Sequence, residues 1–110
     1  MSLTFVFDLD GTLCTHTKGD YSEAEPFEER IAMVNRLFEE GHTIKICTAR
    51  GMGRSNDNVL KAGMEFKDIT YQQLEDWGVK YHRLFLGKPS ADHYIDDKAI
   101  EDLEFFGSRW

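Results

Sequence analysis

Short apolar runs rich in β-branched and aromatic residues alternate with helical patterns along this chain, and that alternation restricts its fold. Strands are predicted at residues 3–7, 43–47, 81–86 and 92–95, helices at residues 26–40, 70–77 and 98–105, and a loop at residues 51–68. The pattern predicts an α/β protein, a Rossmann-like three-layer α/β/α fold with a short central parallel sheet. Because 110 residues is a common size for one domain, residues 1–110 are predicted to form a single domain.

Polar side chains follow the predicted strands. Asp8 comes directly after the first strand, and Thr48 follows the second. Lys88 lies just after the third, and Asp96 and Asp97 follow the fourth. Ligands of such sheets bind at the carboxyl ends of the strands. These five side chains are therefore predicted to meet at one rim of the sheet.

The segment from Asp8 to Thr12 carries two carboxylates separated by one residue, followed by a glycine that lets the chain turn. Phosphoryl transfer through such a pair needs one carboxylate to attack phosphorus. The other carboxylate would give a proton to the leaving alcohol and later take one from the attacking water, and at this point either Asp8 or Asp10 could fill each role. The repulsion between carboxylate and phosphate calls for a metal ion, and hard oxygen ligands favour Mg²⁺.

The other rim residues supply the remaining parts of a phosphoryl-transfer site. Asp96 and Asp97 offer further carboxylates for the metal ion, and Lys88 offers a cation for the phosphoryl oxygens. The hydroxyl group of Thr48 can donate a hydrogen bond to the same oxygens. The sequence also points to candidate substrate contacts, which lie close to these motifs: His16, Arg50 and Arg54.

Four motifs in this order resemble those of the haloacid dehalogenase superfamily: FDLDGT at 7–12, TAR at 48–50, GKP at 87–89 and IDD at 95–97. The resemblance implies that Asp8 is the nucleophile and Asp10 the general acid and base. It implies that Thr48 and Lys88 bind the phosphoryl group. Mg²⁺ would be held by Asp8, the backbone carbonyl of Asp10 and Asp96 or Asp97, with Asp97 favoured. A second aspartate in the first motif is typical of phosphatases and mutases, not of dehalogenases or P-type ATPases.

The stretches WGVKYHRLFLGKP and YIDDKAI look most like small bacterial or phage members described as capsule-biosynthesis phosphatases. That similarity implies a phosphomonoester hydrolase acting on a small phosphorylated sugar or related metabolite. The intervals between motifs, 36 residues from Gly11 to Thr48 and 39 from Thr48 to Lys88, leave no room for a cap domain. Three alternatives stay open: a phosphomutase or phosphotransferase, a phosphatase of nucleotides or polynucleotide ends, and a phospho-accepting signalling module.

The composition of the chain limits the kinds of molecule that it is expected to bind. The net charge of −7 disfavours broad capture of nucleic acid or of an anionic membrane. No apolar run approaches the roughly 20 residues of a membrane span, and no signal peptide is expected. Two distant cysteines predict no disulfide framework, which fits the cytoplasm. The aromatic residues Phe105, Phe106 and Trp110 offer apolar material for a homo-oligomer.

Overall fold

The computed structural model describes residues 1–107 and contains one parallel sheet. Its strands, in the spatial order β1-β2-β3, are β1 (Thr4–Phe7), β2 (Thr43–Thr48) and β3 (Arg83–Leu86). Phe7 pairs with Ile46, and Thr48 pairs with Leu86. The carboxyl ends of the three strands therefore lie at one rim, as the order of the motifs predicts.

Three α-helices accompany the sheet: α1 (Glu28–Glu39), α2 (Val59–Asp76) and α3 (Asp102–Phe106), with one 3₁₀ turn at Tyr21–Glu23. The first helix follows Pro26 and ends before Gly41, whose φ of +95° suits a glycine that terminates a helix. No helix within residues 1–107 is long and apolar enough to cross a bilayer. This confirms a small Rossmann-like α/β fold without a cap domain.

The core forms where the apolar face of α1 meets the sheet. Ile31, Val34 and Leu37 are buried on that face, at the helical spacing the sequence shows. Each fully buried side chain of this kind contributes about 1.5–3 kcal/mol. Phe105 of α3 is also buried and packs its ring on Phe7 at 5.5 Å. Phe105 and its half-buried neighbour Phe106 thus belong to the core, whereas Trp110 lies outside the described residues.

The predicted loop at 51–68 is wrong in its second half, because α2 begins at Val59 instead of residue 70. The side chain of Asn58 accepts a hydrogen bond from the backbone N–H of Lys61 at 3.0 Å and caps the helix. Leu60 and Met64 are 74% and 79% exposed, so this half of α2 has little apolar periodicity to detect.

The predicted fourth strand at 92–95 is wrong for this chain. Residues 87–101 form neither helix nor strand, and every residue from 89 to 101 is exposed. A parallel crossover takes about a dozen residues or more, whereas only residues 87–91 separate this segment from β3.

The last helix is shorter than predicted, since it begins at Asp102 and not at residue 98.

Candidate active site

Asp8 lies at the end of β1 with its side chain 34% exposed. The hydroxyl group of Thr12 donates a hydrogen bond to one carboxylate oxygen of Asp8 at 3.3 Å. The ammonium group of Lys88 lies 3.5 Å from the other oxygen. The most accessible carboxylate at the rim therefore has a cation beside it and remains open to a reactant.

The chain turns sharply after Asp8. The carbonyl of Leu9 accepts hydrogen bonds from the N–H groups of Thr12 and Leu13, at 3.0 and 2.8 Å. Gly11 has a φ of +88°, and a Cβ atom there would lie 2.2 Å from Nε2 of His16. Only glycine meets both conditions without strain. The exposed His16 ring therefore covers the turn at the rim, close to where the sequence predicted it.

Asp10 is bound from the interior by Arg50. The guanidinium Nε donates to Oδ2 of Asp10 and Nη2 to Oδ1, both at 3.0 Å. The remaining Nη1 donates to Thr70 and Gln73 of α2, and the plane of the guanidinium stacks on the Tyr21 ring at 4.8 Å. A two-point contact of this geometry fixes the orientation of the carboxylate.

Arg50 was predicted as a candidate substrate contact, but its side chain is 0% exposed. Its donors serve Asp10 and α2, so the structure places it as a residue that positions Asp10. The partners Thr70 and Gln73 follow Arg50 by 20 and 23 residues. No motif links these positions in the sequence, and the helix that carries them begins earlier than predicted. Sequence reasoning therefore missed this contact.

Thr48 brings Lys88 to the site. Its backbone carbonyl accepts hydrogen bonds from the N–H groups of Gly87 and Lys88, both at 3.1 Å. Its buried hydroxyl oxygen accepts one from the N–H of Arg50 at 3.2 Å. The ammonium group of Lys88 also lies 4.0 Å from the centre of the Tyr94 ring. Four predicted residues, Asp8, Asp10, Thr48 and Lys88, are thus brought to one rim.

Arg54 lies farther out, with its side chain 46% exposed. One nitrogen donates to the carbonyl of Gly19 at 2.7 Å, and another lies 3.6 Å from Glu65. Its guanidinium group also stacks on the Phe66 ring at 4.8 Å. Arg54 therefore ties the loop after β1 to α2, at the edge of the site.

Asp96 of the acidic pair lines the same cleft as Asp8 and Lys88. Asp96 and Asp97 are exposed in the segment before α3. The backbone N–H of Lys98 donates a hydrogen bond to Asp96 at 2.9 Å, which holds the pKa of Asp96 below its usual value. Within residues 1–107, no three His, Cys, Asp or Glu side chains come together to hold a metal ion.

The two cysteines should differ in reactivity. Burial raises the pKa of Cys14 to about 12, with Asp10 adding to the effect. At pH 8 only about one Cys14 in ten thousand would be a thiolate, and its side chain is fully buried. Cys47 is half-buried, so it should react first although burial also raises its pKa. Iodoacetamide labelling followed by peptide mass spectrometry should find Cys14 unmodified until the protein unfolds; equal labelling of both would contradict this.

Comparison with known proteins agrees with this arrangement. The family model for haloacid dehalogenase-like hydrolases matches residues 5–72, which include Asp8, Asp10 and Thr48. The crystal structure of a target protein from Vibrio cholerae is similar with a TM-score of 0.89 and 32% sequence identity. The alignment covers 99% of this chain and 90% of that one. A search of curated proteins gave no significant match.

Proposed function

We propose that this chain, which belongs to the haloacid dehalogenase-like hydrolase family, is a phosphomonoester hydrolase that forms an aspartyl-phosphate on Asp8. One observation carries the proposal. Asp8 is a partly exposed carboxylate at the strand end, with Lys88 at 3.5 Å and a second carboxylate, Asp10, fixed nearby by Arg50. A nucleophile, a proton carrier and a cation are the groups that phosphoryl transfer needs.

The two carboxylates would divide the chemistry into two steps. In the first, an oxygen of Asp8 forms a bond to phosphorus while the bond to the leaving alcohol breaks, and Asp10 protonates that alcohol. In the second, water attacks phosphorus, Asp10 takes its proton and the bond to Asp8 breaks, which releases phosphate. Lys88 would offset the charge on the phosphoryl oxygens, and the hydroxyl group of Thr48 would donate a hydrogen bond to them.

Loops at the rim would recognise the substrate. No cap domain covers the site, so recognition of the substrate falls to the loops that contain His16 and Arg54. The net charge of −7 disfavours a polynucleotide end. A small phosphorylated sugar or related metabolite, as the similarity to capsule-biosynthesis phosphatases implies, fits both features.

A panel of phosphorylated metabolites assayed with Mg²⁺ tests this proposal. We expect wild-type protein to release phosphate from sugar phosphates faster than from nucleotides or phosphorylated DNA ends. A marked preference for polymer ends would contradict the substrate class. Failure to release phosphate from any ester, by protein that is folded, would contradict the phosphatase activity itself.

We expect turnover to require Mg²⁺, which would neutralise repulsion between carboxylate and phosphate. Asp97→Ala should raise the Mg²⁺ concentration needed for half-maximal rate by about tenfold or more. Ca²⁺ should substitute poorly, because its looser coordination misplaces the nucleophile. Asp92→Ala removes another exposed acid from the same segment and is the control. Full activity in excess chelator would refute the metal requirement.

A further inference from the structure

The outer edge of β1 is an unusual surface for a parallel sheet. Within residues 1–107, β1 pairs with β2 only and ends the sheet on that side. Val6 is 62% exposed, so one face of β1 is uncovered as well, although the strands of parallel sheets are normally buried on both faces. An exposed apolar edge of this kind is a template for a further strand.

A cleft of about 860 Å³ runs along this edge. One wall contains Val6 and Asp8, and the other is the segment 92–101. In that segment Tyr94 is 48% exposed and Ile95 is 98% exposed. The residues that the sequence predicts as a strand thus line the same cleft as β1, whose outer edge pairs with no strand within residues 1–107.

The chain's own segment is too short to fill the cleft as a parallel strand. The N–H of Ser90 donates to Asp57 at 3.1 Å, in the loop that follows β2, so the chain is still near the rim at Ser90. Two residues reach at most about 7 Å, which is all that separates Ser90 from Asp92. To run parallel to β1, the chain would first have to travel back along the length of that strand, which is about 10 Å. An antiparallel strand would carry Asp96 and Asp97 toward the opposite end of β1, away from Asp8.

The other end of the segment also returns to the rim. Arg30 binds Asp102, the first residue of α3, at 2.7 Å and the carbonyl of Thr12 at 3.0 Å. From there α3 packs Phe105 on the rings of Phe5 and Phe7. Both ends of the segment 89–101 therefore lie near the rim, and a strand running toward the rim would lead directly into α3.

We propose that two copies of this chain exchange residues 92–107, so that 92–97 of one copy pairs with β1 of the other. In this arrangement the partner's segment runs parallel to β1, free of the short connection, and its α3 makes the contacts that α3 makes here. The partner's acidic pair then arrives at the carboxyl end of β1, where Lys88 supplies the complementary charge. Residues 87–91 form the hinge. Because the dimer has two-fold symmetry, the β1 edge of each copy pairs with the segment of the other copy.

The exchange would bring carboxylates of both copies to one metal site. Asp8 would come from one copy, and Asp96 and Asp97 from the other. This part rests on the proposed phosphatase function, whereas the strand exchange itself does not. The two are therefore tested separately.

The strand exchange is tested by mass and by cross-linking. Light scattering should show a dimer for the wild type. Aligning Asp96 with Asp8 puts Tyr94 beside Val6, and neighbouring strands lie about 4.8 Å apart, within disulfide range. Val6→Cys/Tyr94→Cys should therefore oxidise to a covalent dimer, and either single substitution should not. A monomer by light scattering, or a double variant that runs as a monomer on a non-reducing gel, overturns the proposal.

The shared site is tested by mixing two chains, Asp8→Asn and Asp97→Ala, at a Mg²⁺ concentration too low for Asp97→Ala to turn over. In a dimer of Asp8→Asn with Asp97→Ala, one site would carry both substitutions and the other neither. Co-expression should therefore restore about one quarter of the wild-type activity per chain, because half of the dimers are mixed. No restoration, with an active wild type, places both groups in the same chain and overturns the shared site. An inactive wild type refutes the phosphatase function and leaves the mass and cross-linking results to decide the exchange.

Discussion

Asp8→Asn should abolish phosphatase turnover, by at least about 10³-fold, because an amide cannot serve as the attacking carboxylate. The substitution keeps the shape of the side chain and its hydrogen bond from Thr12, which lies at 3.3 Å. Release of inorganic phosphate under saturating substrate measures the effect. Residual activity within about tenfold of wild type would remove Asp8 from the nucleophilic role.

The same variant should leave stability nearly unchanged. Lys88 lies 3.5 Å from Asp8, and the two side chains are 23% and 34% exposed. Partly exposed pairs of this kind contribute about 1 kcal/mol or less. Thermal unfolding of Asp8→Asn should therefore coincide with that of the wild type. A large drop in its unfolding temperature would mean that lost activity reflects lost structure.

Asp10→Asn should lose both activity and stability. Removing the proton carrier should lower turnover by about 10²–10⁴-fold. The substitution also leaves Arg50, whose side chain is 0% exposed, without its carboxylate partner. Breaking such a buried pair costs about 3–5 kcal/mol, which lowers the unfolding temperature of a domain this size by about 10 °C or more. Calorimetry and initial rates measure the two effects separately.

Asp8→Asn and Asp10→Asn are matched controls for each other, because they make the same chemical change two residues apart. Asp8→Asn should separate activity from stability, whereas Asp10→Asn should couple them. If both variants unfold at the wild-type temperature, Arg50 does not depend on Asp10 as the geometry indicates. If Asp10→Asn changes only KM, Asp10 binds substrate instead of carrying protons.

The rim of the sheet was predictable because each part has a local signal. The apolar runs before Asp8 and Thr48 have strand length and composition, and α1 repeats its apolar residues at helical spacing. The order of strands and helices then forces the strand ends to one side. None of these inferences requires contacts between distant residues.

The environment of Asp10 could not be predicted in the same way. An arginine after a strand is more often solvated than buried, and nothing beside Arg50 indicates that Tyr21, Thr70 and Gln73 enclose it. Residues 92–95 were predicted wrongly because a local pattern does not decide whether a strand forms. Their pattern favours a strand, but a strand forms only where a partner edge is within reach, and the connection from β3 is too short.

Detection of phosphate on Asp8 tests the central claim most directly. Wild-type protein turning over a phosphate ester with Mg²⁺ would be quenched in acid, which preserves acyl phosphates, and digested for peptide mass spectrometry. The proposed mechanism predicts phosphate on the peptide that contains Asp8, at that residue, and none in Asp8→Asn. Phosphate on another residue, or the same phosphopeptide from Asp8→Asn, would contradict it.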